Sequence, residues 1–559
     1  MQPVSVPIIL VSPTQKNNEK VVSRPLAKFE PSFWGDRFLH FTPPNEVTKL
    51  RMEEEAKELK EEMRKKLLES IKKPKEGLQF IDAIQRLGVA YHFEDEIEVL
   101  LENFHNNKNN YNVNDCYQNN LHFVSLHFRL LRQHGFFVSS DVFNKFINEN
   151  GSFKEEIASE VEGILSLYEA SYLKVHGEKI LEDALEFSTR HLMSLSRQVS
   201  SVLAEKINHA LKRPIHRCIP RLEAKYQIYF YESEPSHDVI LHKFAKLDFY
   251  LLQLLHKEEL QKLTRWWRNL DFPTKLPYAR DRIVECYFWI VSMYPEPKYS
   301  ISRMAHTKWT KLVSIINDTY DAYGTIQELE LFTQAIQRWD KRYMNELPEY
   351  MKLIYETLLD TSLLLDDELA KQGRSYAFNY LQQEWKDLCS SYMQEAKWCD
   401  LEYIPRFDEY IKNGNVSSTY LQILAAAYQG MEIAHANVFE WLHGQPKPLA
   451  AICMIGRVLN DIATFKFEQN RKHVATSVEC YMKQYQVSQD EACEKLQKMM
   501  EDGWKEVTES MFRPNAIPMP LLLRILNVNR VTNEIYSIDS DGYTFSKFSQ
   551  DKITALLID

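Results

Sequence analysis

Apolar residues recur at intervals of three and four along most of this chain, and this spacing constrains the fold more than any other feature. Segments such as FIDAIQRLGVAYHFEDEIEVLLENF and LHFVSLHFRLLRQHGF show it clearly. The interval matches one face of an α-helix, whereas a half-buried strand alternates at two. Glycine is sparse, with 15 among 559 residues, and no GxGxxG, P-loop or GxSxG motif occurs, which disfavours β-sandwiches and Rossmann sheets. The sequence therefore predicts an all-α protein.

A polar, proline-bearing stretch at residues 231–239 interrupts the helical pattern. We therefore expect two helical domains, residues 1–235 and a larger one at 236–559. Long apolar helices that surround a cavity leave a deep pocket between them, which is a usual ligand site in helical bundles. A Glu- and Lys-rich run at residues 45–73 carries Leu and Met at helical spacing, which is typical of the solvated face of an amphipathic helix.

Charge and cysteine usage exclude several classes of protein. The net charge of −10 disfavours a nucleic-acid binder, which needs a basic face to neutralise phosphates. The eight cysteines are scattered without a CxxC pair, which indicates reduced thiols and no zinc site. No apolar run reaches the length of a membrane span, and the first twenty residues resemble neither a signal nor a transit peptide. We expect a cytoplasmic protein.

The stretch SIINDTYDAYG, residues 314–324, places oxygen-bearing side chains at the end of an apolar run. On a helix Asn317 and Asp321, four residues apart, share one face, and Asp318 lies beside them. Gly324 is expected to end the helix in the left-handed conformation. Such a helix end can bind a hard cation such as Mg²⁺, although paired acids on a helix are more often solvated surface.

A second constellation lies in RVLNDIATFKFEQNRK. Asn460, Thr464 and Glu468 follow one another at intervals of four, so on a helix they form one stripe. An amide oxygen, a hydroxyl and a carboxylate make a partial shell for Mg²⁺, which takes its remaining ligands from water and substrate phosphates. Such a set arises by chance more easily than a four-cysteine site, so its weight comes from the first acidic stretch.

Two arginines precede the first acidic stretch in LPYARDRIVECYFW. Arg280 and Arg282 flank Asp281, and two guanidinium groups near metal ions would hold a diphosphate through charge-assisted hydrogen bonds. The alternative is an ordinary surface cluster of ion pairs. Trp289 follows two helical turns after Arg282; it either belongs to the core or presents its ring face to a developing cation.

The C-terminal segment YSIDSDGYTFSK carries Tyr536, Asp541 and Tyr543 around a glycine. Two interpretations stay open, a mobile loop tip and a lid that closes over the pocket.

Three hydroxyl residues, SST at 417–419, stand inside an apolar helical stretch. Such side chains can bend a helix or bond its freed carbonyls. Ordinary packing and a helix break directed at the cavity are both compatible with the pattern.

Together these segments resemble a plant terpene synthase of the cytosolic sesquiterpene type, over nearly the whole chain. SRPLAKFEPSFW resembles the N-terminal RPx₈W signature with Arg24, Pro25 and Trp34. ARDR resembles the RxR segment, INDTYD the aspartate-rich segment DDxxD, and LNDIATFKFE the second metal motif (N,D)Dxx(S,T)xxxE. The class II motif DxDD is missing, since LLLDDE has Leu364 at the first aspartate. The N-terminal domain is therefore expected to be catalytically silent.

The resemblance implies a class I terpenoid synthase bundle that ionises and cyclises farnesyl diphosphate. It implies three Mg²⁺ ions, with Mn²⁺ as a substitute. The implied metal ligands are Asn317, Asp318, Asp321, Asn460, Thr464 and Glu468. The implied substrate-binding residues are Arg280, Asn317, Asp321, Arg457 and Asn460, with Arg282 beside them. The implied catalytic residues are Arg280, Arg282, Trp289, Tyr536, Asp541 and Tyr543. Of these, Trp289, Tyr536 and Tyr543 are implied to line the cavity or its lid, and the Arg24 segment is implied to cap the mouth.

The chain departs from the family pattern at Asn317, where DDxxD has its first aspartate. An amide oxygen carries no charge and does not bridge two ions as a carboxylate does, so we expect weaker metal binding at the first cluster, or a slow or product-shifted enzyme. The expected product is a cyclic sesquiterpene hydrocarbon, for example of germacrene type, and the expected state is a monomer. A geranyl diphosphate synthase and a degenerate, non-catalytic homologue stay open as alternatives.

Overall fold

The computed structural model describes residues 24, 26–70, 73–106, 120–469, 473–537 and 540–559. Across these residues the chain is overwhelmingly helical, apart from short connections and a two-stranded hairpin. The prediction of an all-α fold is therefore confirmed. The first 23 residues, on which the expectation about leader peptides rests, lie outside the described residues, as do Pro25 and Cys116.

The first group of helices encloses its own apolar core, which includes Phe128, Leu130 and Leu167. Helix α1 begins where the sequence pattern predicts, because the Asn45 side chain accepts a hydrogen bond from the backbone N–H of Thr48 at 2.8 Å. The helices are α1 (Glu46–Glu69), α2 (Pro74–Arg86), α3 (Glu94–Asn106), α4 (Leu121–Gln133), α5 (Val161–Ser171), α6 (Lys179–Leu195), α7 (Ser201–Lys212) and α8 (Pro220–Glu232).

The second group surrounds a larger core that includes Tyr287, Trp309 and Trp385. Its helices are α9 (Val239–Leu270), α10 (Phe272–Lys275), α11 (Ile283–Met293), α12 (Ser300–Ala322), α13 (Ile326–Arg338), α14 (Glu349–Lys371), α15 (Ser375–Asp400), α16 (Phe407–Ser417), α17 (Tyr420–Gln429), α18 (Ala436–His443), α19 (Lys447–Glu468), α20 (Ser477–Tyr485), α21 (Gln489–Ser510), α22 (Met519–Ile535) and α23 (Gln550–Leu557). The antiparallel strands β1 (Tyr536–Ser537) and β2 (Ser540–Asp541) follow α22.

Helix α9 joins the two cores. It has 32 residues, so at 1.5 Å per residue it is about 48 Å long. Leu241 and Phe244 near its start pack in the first core, whereas Leu263 and Trp267 near its end pack in the second. The predicted interruption falls between the end of α8 and the start of α9. The division into domains at residue 235 stays a prediction, because α9 contributes to both cores.

Among the described residues, helix α19 has the length and hydropathy of a membrane span, contrary to the expectation that no apolar run reaches that length. In the most apolar part of this helix, 61% of the residues are buried inside the molecule. The C-terminal end of α19 carries the second acidic motif, so this apolar helix also holds polar side chains.

The end of α12 differs from the prediction made for Gly324. The helix ends at Ala322, and Gly324 is not in the left-handed region of φ. Glycine is needed there for close approach: a Cβ atom would lie 2.5 Å from Cδ2 of Leu329 and 3.0 Å from the carbonyl oxygen of Thr319. The expected left-handed cap is therefore wrong, and the chain instead turns tightly from α12 into α13.

We predict that Gly324→Ala destabilises the protein by about 1–3 kcal/mol, the usual cost of overpacking. The melting temperature, followed by circular dichroism, should fall, and adding Leu329→Ala should recover part of the loss. Gly444→Ala is the matched control, since a Cβ there meets its nearest neighbour at an ordinary 3.4 Å. Equal melting temperatures for Gly324→Ala and Gly444→Ala would contradict the close-approach explanation.

Candidate active site

The two acidic segments meet at one cleft of about 680 Å³. Helices α12 and α19 both end at this cleft, and the stripes that they carry both line it. The predicted ligands that line the cleft are Asn317, Asp321, Asn460, Thr464 and Glu468. The structure therefore brings together five of the six predicted metal ligands. The nearest members of the two groups, Asp321 and Asn460, are 139 positions apart in the sequence, so no local pattern joins them.

Both helix ends favour a cation electrostatically. The C-terminal carbonyl groups of a helix carry a partial negative charge, and α12 ends at Ala322 while α19 ends at Glu468. The Thr464 hydroxyl donates to the carbonyl oxygen of Asn460 at 3.0 Å. Its oxygen keeps its lone pairs and remains a possible ligand. Amide, hydroxyl and carboxylate oxygens are the donors that Mg²⁺ prefers, so the residues present fit this ion.

Asp318 does not line the cleft, in contrast to its predicted place among the ligands. It is 1% exposed, and its carboxylate accepts hydrogen bonds from the backbone N–H of Arg280 at 2.7 Å and from the Nε of Arg280 at 2.8 Å. One residue along a helix is a rotation of about 100°, which turns Asp318 away from the face shared by Asn317 and Asp321. In the structure, the Asp318 carboxylate holds the Arg280 side chain in position.

Arg280 lines the cleft and contacts the first acidic segment directly. Its Nη2 donates to Oδ1 of Asn317 at 2.9 Å, and its Nη1 donates to Oγ1 of Thr544 at 2.9 Å. Burial alone would lower the pKa of this guanidinium, but the charge of Asp318 raises the pKa above its ordinary value. Arg280 therefore remains a cation at the edge of the cleft, as the sequence predicts.

Arg282 is placed differently from Arg280. It is fully buried and borders neither the cleft nor the chamber behind it. Its guanidinium donates to the carbonyl oxygens of Glu30, Asp281, Tyr543 and Thr544 at 2.8 to 3.0 Å. The structure thus shows an arginine that fastens the N-terminal segment and the C-terminal loop, while its predicted contact with diphosphate stays a prediction.

Arg457 stands on α19 three residues before Asn460, the first residue of the second acidic stripe. Its Nη2 donates to Oγ of Ser417 at 2.7 Å and lies 3.7 Å from Oε1 of Glu395. Its Nη1 lies 3.7 Å from Oδ1 of Asp461. Burial alone would lower the pKa of Arg457, but Tyr410 and these two carboxyl groups raise it. A second cation therefore borders the cleft.

Glu395 and Asp461 line the cleft but were not singled out from the sequence. Burial raises the pKa of both carboxyl groups, and Arg457 opposes that shift. Asp461 accepts hydrogen bonds from the Tyr410 hydroxyl and the Ser477 backbone N–H, each at 2.8 Å. The position of Asp461 directly after Asn460 could have identified it from the sequence. Glu395 gave no such signal, because it is one of four acids on the long helix α15 and belongs to no motif.

Behind the cleft lies a smaller chamber of about 170 Å³. It shares Arg280, Asn317, Arg457 and Asn460 with the cleft, so the two spaces adjoin. Its wall includes the aromatic side chains of Trp289, Tyr420, Tyr536 and Tyr543. The Trp289 ring centroid lies 6.2 Å from that of Tyr420 and 6.3 Å from that of Tyr536. An aromatic chamber next to an oxygen-rich cleft can hold an apolar chain whose polar end stays at the cleft.

The SST segment forms a helix break at this chamber. Helix α16 ends at Ser417, α17 begins at Tyr420, and Thr419 between them has a φ of +74°. Ser417, Ser418 and Thr419 all line the chamber. Of the two interpretations, the break directed at the cavity is the one that the structure shows.

The C-terminal residues lie where the sequence analysis places them, around the cleft and chamber. Asp541 borders the cleft, and its Oδ1 accepts from the backbone N–H groups of Tyr543 at 2.8 Å and Thr544 at 2.9 Å. The Tyr543 hydroxyl donates to Oγ of Ser314 at 2.5 Å. Tyr536 pairs with Asp541 across the hairpin. Movement of this segment as a lid stays a prediction.

The Arg24 side chain lies at the mouth of the cleft. It donates to both carboxylate oxygens of Glu328, at 2.9 and 3.0 Å, and to the carbonyl oxygen of Tyr323 at 3.0 Å. Its guanidinium also stacks 4.2 Å above the Tyr323 ring. Partial burial would raise the pKa of Glu328, but the hydrogen bonds, chiefly from Arg24, lower it to about 2. Trp34, also from the signature, is buried and donates to Glu285 at 3.2 Å.

Two family models match the chain. The model of the terpene synthase N-terminal domain matches residues 33–211, and that of the terpene synthase family metal binding domain matches residues 268–506. A sesquiterpene synthase of Santalum austrocaledonicum is 47% identical over 97% of both chains. A (−)-germacrene D synthase of Vitis vinifera is 44% identical over 99% of this chain and 98% of its own.

A solved structure has the same fold. Isoprene synthase from grey poplar leaves (Populus x canescens), in complex with three Mg²⁺ ions and dimethylallyl-S-thiolodiphosphate, superposes with a TM-score of 0.83. It is 34% identical, and the match covers 91% of this chain and 97% of that one. With both family models matched and the site geometry in agreement, the chain belongs to the terpene synthase family.

Proposed function

We propose that this protein is a sesquiterpene synthase that converts farnesyl diphosphate into a cyclic sesquiterpene hydrocarbon and diphosphate. The observation that carries the proposal is the pairing of two oxygen-rich helix ends across one cleft, with Arg280 and Arg457 beside them and an aromatic chamber behind. The relatives named sesquiterpene synthase and germacrene D synthase support this substrate class and make a germacrene-type product a reasonable candidate. The protein is proposed to act as a monomer in the cytosol.

The proposed metal ligands are those that the cleft brings together. Asn317 and Asp321 on α12 would hold ions on one side, and Asn460, Thr464 and Glu468 on α19 would hold an ion on the other. Three Mg²⁺ ions, with Mn²⁺ as a substitute, are proposed by analogy with the poplar enzyme's complex. When bound, the ions neutralise the diphosphate and make it a leaving group.

The two arginines of the cleft act on the same diphosphate. Arg280 and Arg457 present guanidinium groups that can donate charge-assisted hydrogen bonds to its oxygens. In the structure these groups already have protein partners, Asn317, Thr544 and the carboxylate of Asp318 for Arg280 and Ser417 for Arg457. A diphosphate would therefore exchange one set of partners for another, and the preorganised cations need little movement to reach it.

The aromatic chamber receives the hydrocarbon chain. The ring faces of Trp289, Tyr420 and Tyr536 carry negative electrostatic potential, which stabilises an allylic cation by cation–π attraction. The chamber is small, and Trp289, Tyr420 and Ile423 in its wall are buried, so a bound hydrocarbon chain would displace water from these surfaces.

The first prediction concerns substrate. Purified protein with farnesyl diphosphate and Mg²⁺ should release a cyclic sesquiterpene, detected by gas chromatography and mass spectrometry. Geranyl diphosphate should give a kcat/KM at least about tenfold lower, since its missing isoprene unit removes buried carbons worth about 0.8 kcal/mol each. Removal of Mg²⁺ by a chelator is the control. A preference for geranyl diphosphate would favour a monoterpene synthase, and no terpene from either substrate would favour the degenerate homologue.

The second prediction concerns Asn317. Asn317→Asp should lower, by roughly tenfold, the Mg²⁺ concentration that gives half-maximal binding of inorganic diphosphate. The added carboxylate has two oxygens, so one can stay on Arg280 while the other binds metal; a tenfold change corresponds to about 1.4 kcal/mol. Gln327→Glu is the matched control, because it adds the same charge at an exposed position of the same cleft. Equal shifts for both variants would contradict a ligand role at residue 317.

The third prediction separates the two arginines of the RxR segment. Arg282→Lys should lower the melting temperature, because one ammonium group cannot reach four carbonyls, and each buried acceptor left unpaired costs about 1–3 kcal/mol. Its affinity for diphosphate with Mg²⁺ should fall less than that of Arg280→Lys. The exposed Arg265→Lys is the control for the residue change itself. An unchanged melting temperature with lost diphosphate affinity would instead support direct contact by Arg282.

A further inference from the structure

The Tyr420 ring rests directly on the backbone of α19 at Gly456. A Cβ atom built on Gly456 would lie 1.8 Å from Cε2 of Tyr420 and 2.3 Å from both Cζ and the hydroxyl oxygen. No side chain fits at these distances, since carbon atoms in contact stand about 3.5–4.0 Å apart. Among the described glycines this is the closest approach of a ring. Gly456 therefore forms a seat, which we define as the Gly456 backbone against which the Tyr420 phenol lies.

Other contacts hold Tyr420 in this seat. Its hydroxyl lies 2.8 Å from Oγ1 of Thr532, and the Thr532 hydroxyl donates to the carbonyl oxygen of Val528 at 2.8 Å. A threonine has one hydroxyl proton, so Tyr420 is the donor in the first bond. At the other end, Tyr420 is the first residue of α17, directly after the left-handed Thr419. The ring is thus fixed by the helix break, by α22 and by the seat.

The seated ring forms part of the reaction chamber. Tyr420 lines the chamber together with Trp289, Gly456 and Tyr536. Gly456 is also one helical turn before Asn460 on α19, so the seat and the second acidic stripe share one rigid element. If a side chain at residue 456 displaced the Tyr420 ring, the ring would have to move away from α19. The open space next to the ring is the chamber that it lines.

We propose that Gly456 is a specificity-determining residue, because its missing side chain lets Tyr420 withdraw into the wall and sets the chamber's contour. The inference rests on the proposed function for its product readout, but not for its structural one. Any side chain at this position pushes the phenol into the chamber. The folding of the carbon chain then changes, because closely packed walls respond to changes of a single methyl group.

The test begins with Gly456→Ala. With farnesyl diphosphate and Mg²⁺ the share of the main product should fall at least about threefold, which is roughly 0.65 kcal/mol between competing barriers. Acyclic or less cyclised products should rise, because a smaller chamber accommodates fewer folded conformers. Gly503→Ala is the matched control: it is also a helical glycine against α19, where a Cβ would meet Cδ1 of Ile455 at 2.9 Å, and it lines neither cavity.

A second variant tests the mechanism. In the Tyr420→Leu background, Gly456→Ala should have little further effect on the product distribution, since the ring that it displaces is gone. The same effect of Gly456→Ala with and without Tyr420 would overturn the proposal, as would a product distribution equal to that of the parent protein. Gly503→Ala should leave the distribution unchanged.

A crystal structure of Gly456→Ala gives a result that does not depend on turnover. The Tyr420 ring should be displaced by at least about 1.7 Å, the distance needed to restore ordinary contact, and its hydrogen bond to Thr532 should be lost. An unmoved ring would overturn the inference even if the parent protein made no terpene. A moved ring in an inactive protein would uphold the seat while contradicting the proposed function.

Discussion

The buried pair formed by Arg280 and Asp318 is the interaction on which the site depends. Arg280 joins three parts of the chain that are distant in sequence: α12 through Asn317 and Asp318, the C-terminal loop through Thr544, and the N-terminal segment through the Phe29 ring at 4.9 Å. The pair is strongly desolvated, and breaking one partner of such a pair typically costs about 3–5 kcal/mol. Arg280 is therefore held in one orientation before any ligand arrives.

The metal-binding pattern was readable from the sequence because it is local. Intervals of four on a helix place Asn317 with Asp321, and Asn460 with Thr464 and Glu468, and the structure has both stripes at helix C-termini. The same rule explains why Asp318 differs from its prediction, since a neighbour in sequence points about 100° away. Helical geometry therefore separates Asn317 and Asp321, which line the cleft, from Asp318, which contacts Arg280.

Other features depend on tertiary contacts that no local pattern contains. Arg280 and Arg282 are two residues apart and chemically identical, yet one borders the cleft and the other is enclosed by backbone carbonyls. Gly324 and Gly456 are both required for close approach to a side chain from another helix, and the sequence shows only a glycine in each case. Glu395 reaches the cleft because α15 packs beside the cleft. The sequence of α15 alone does not indicate this position.

We propose that both helix ends bind the same diphosphate through metal ions. Calorimetric titration of inorganic diphosphate in saturating Mg²⁺ tests it most directly, with Asp321→Asn and Glu468→Gln altering one side of the cleft at a time. We expect Mg²⁺-dependent binding of diphosphate by the parent protein. In each variant the affinity should fall at least about tenfold, because each loses a charged ligand worth at least about 1.4 kcal/mol. Full affinity in either variant, or equal binding without Mg²⁺, would contradict it.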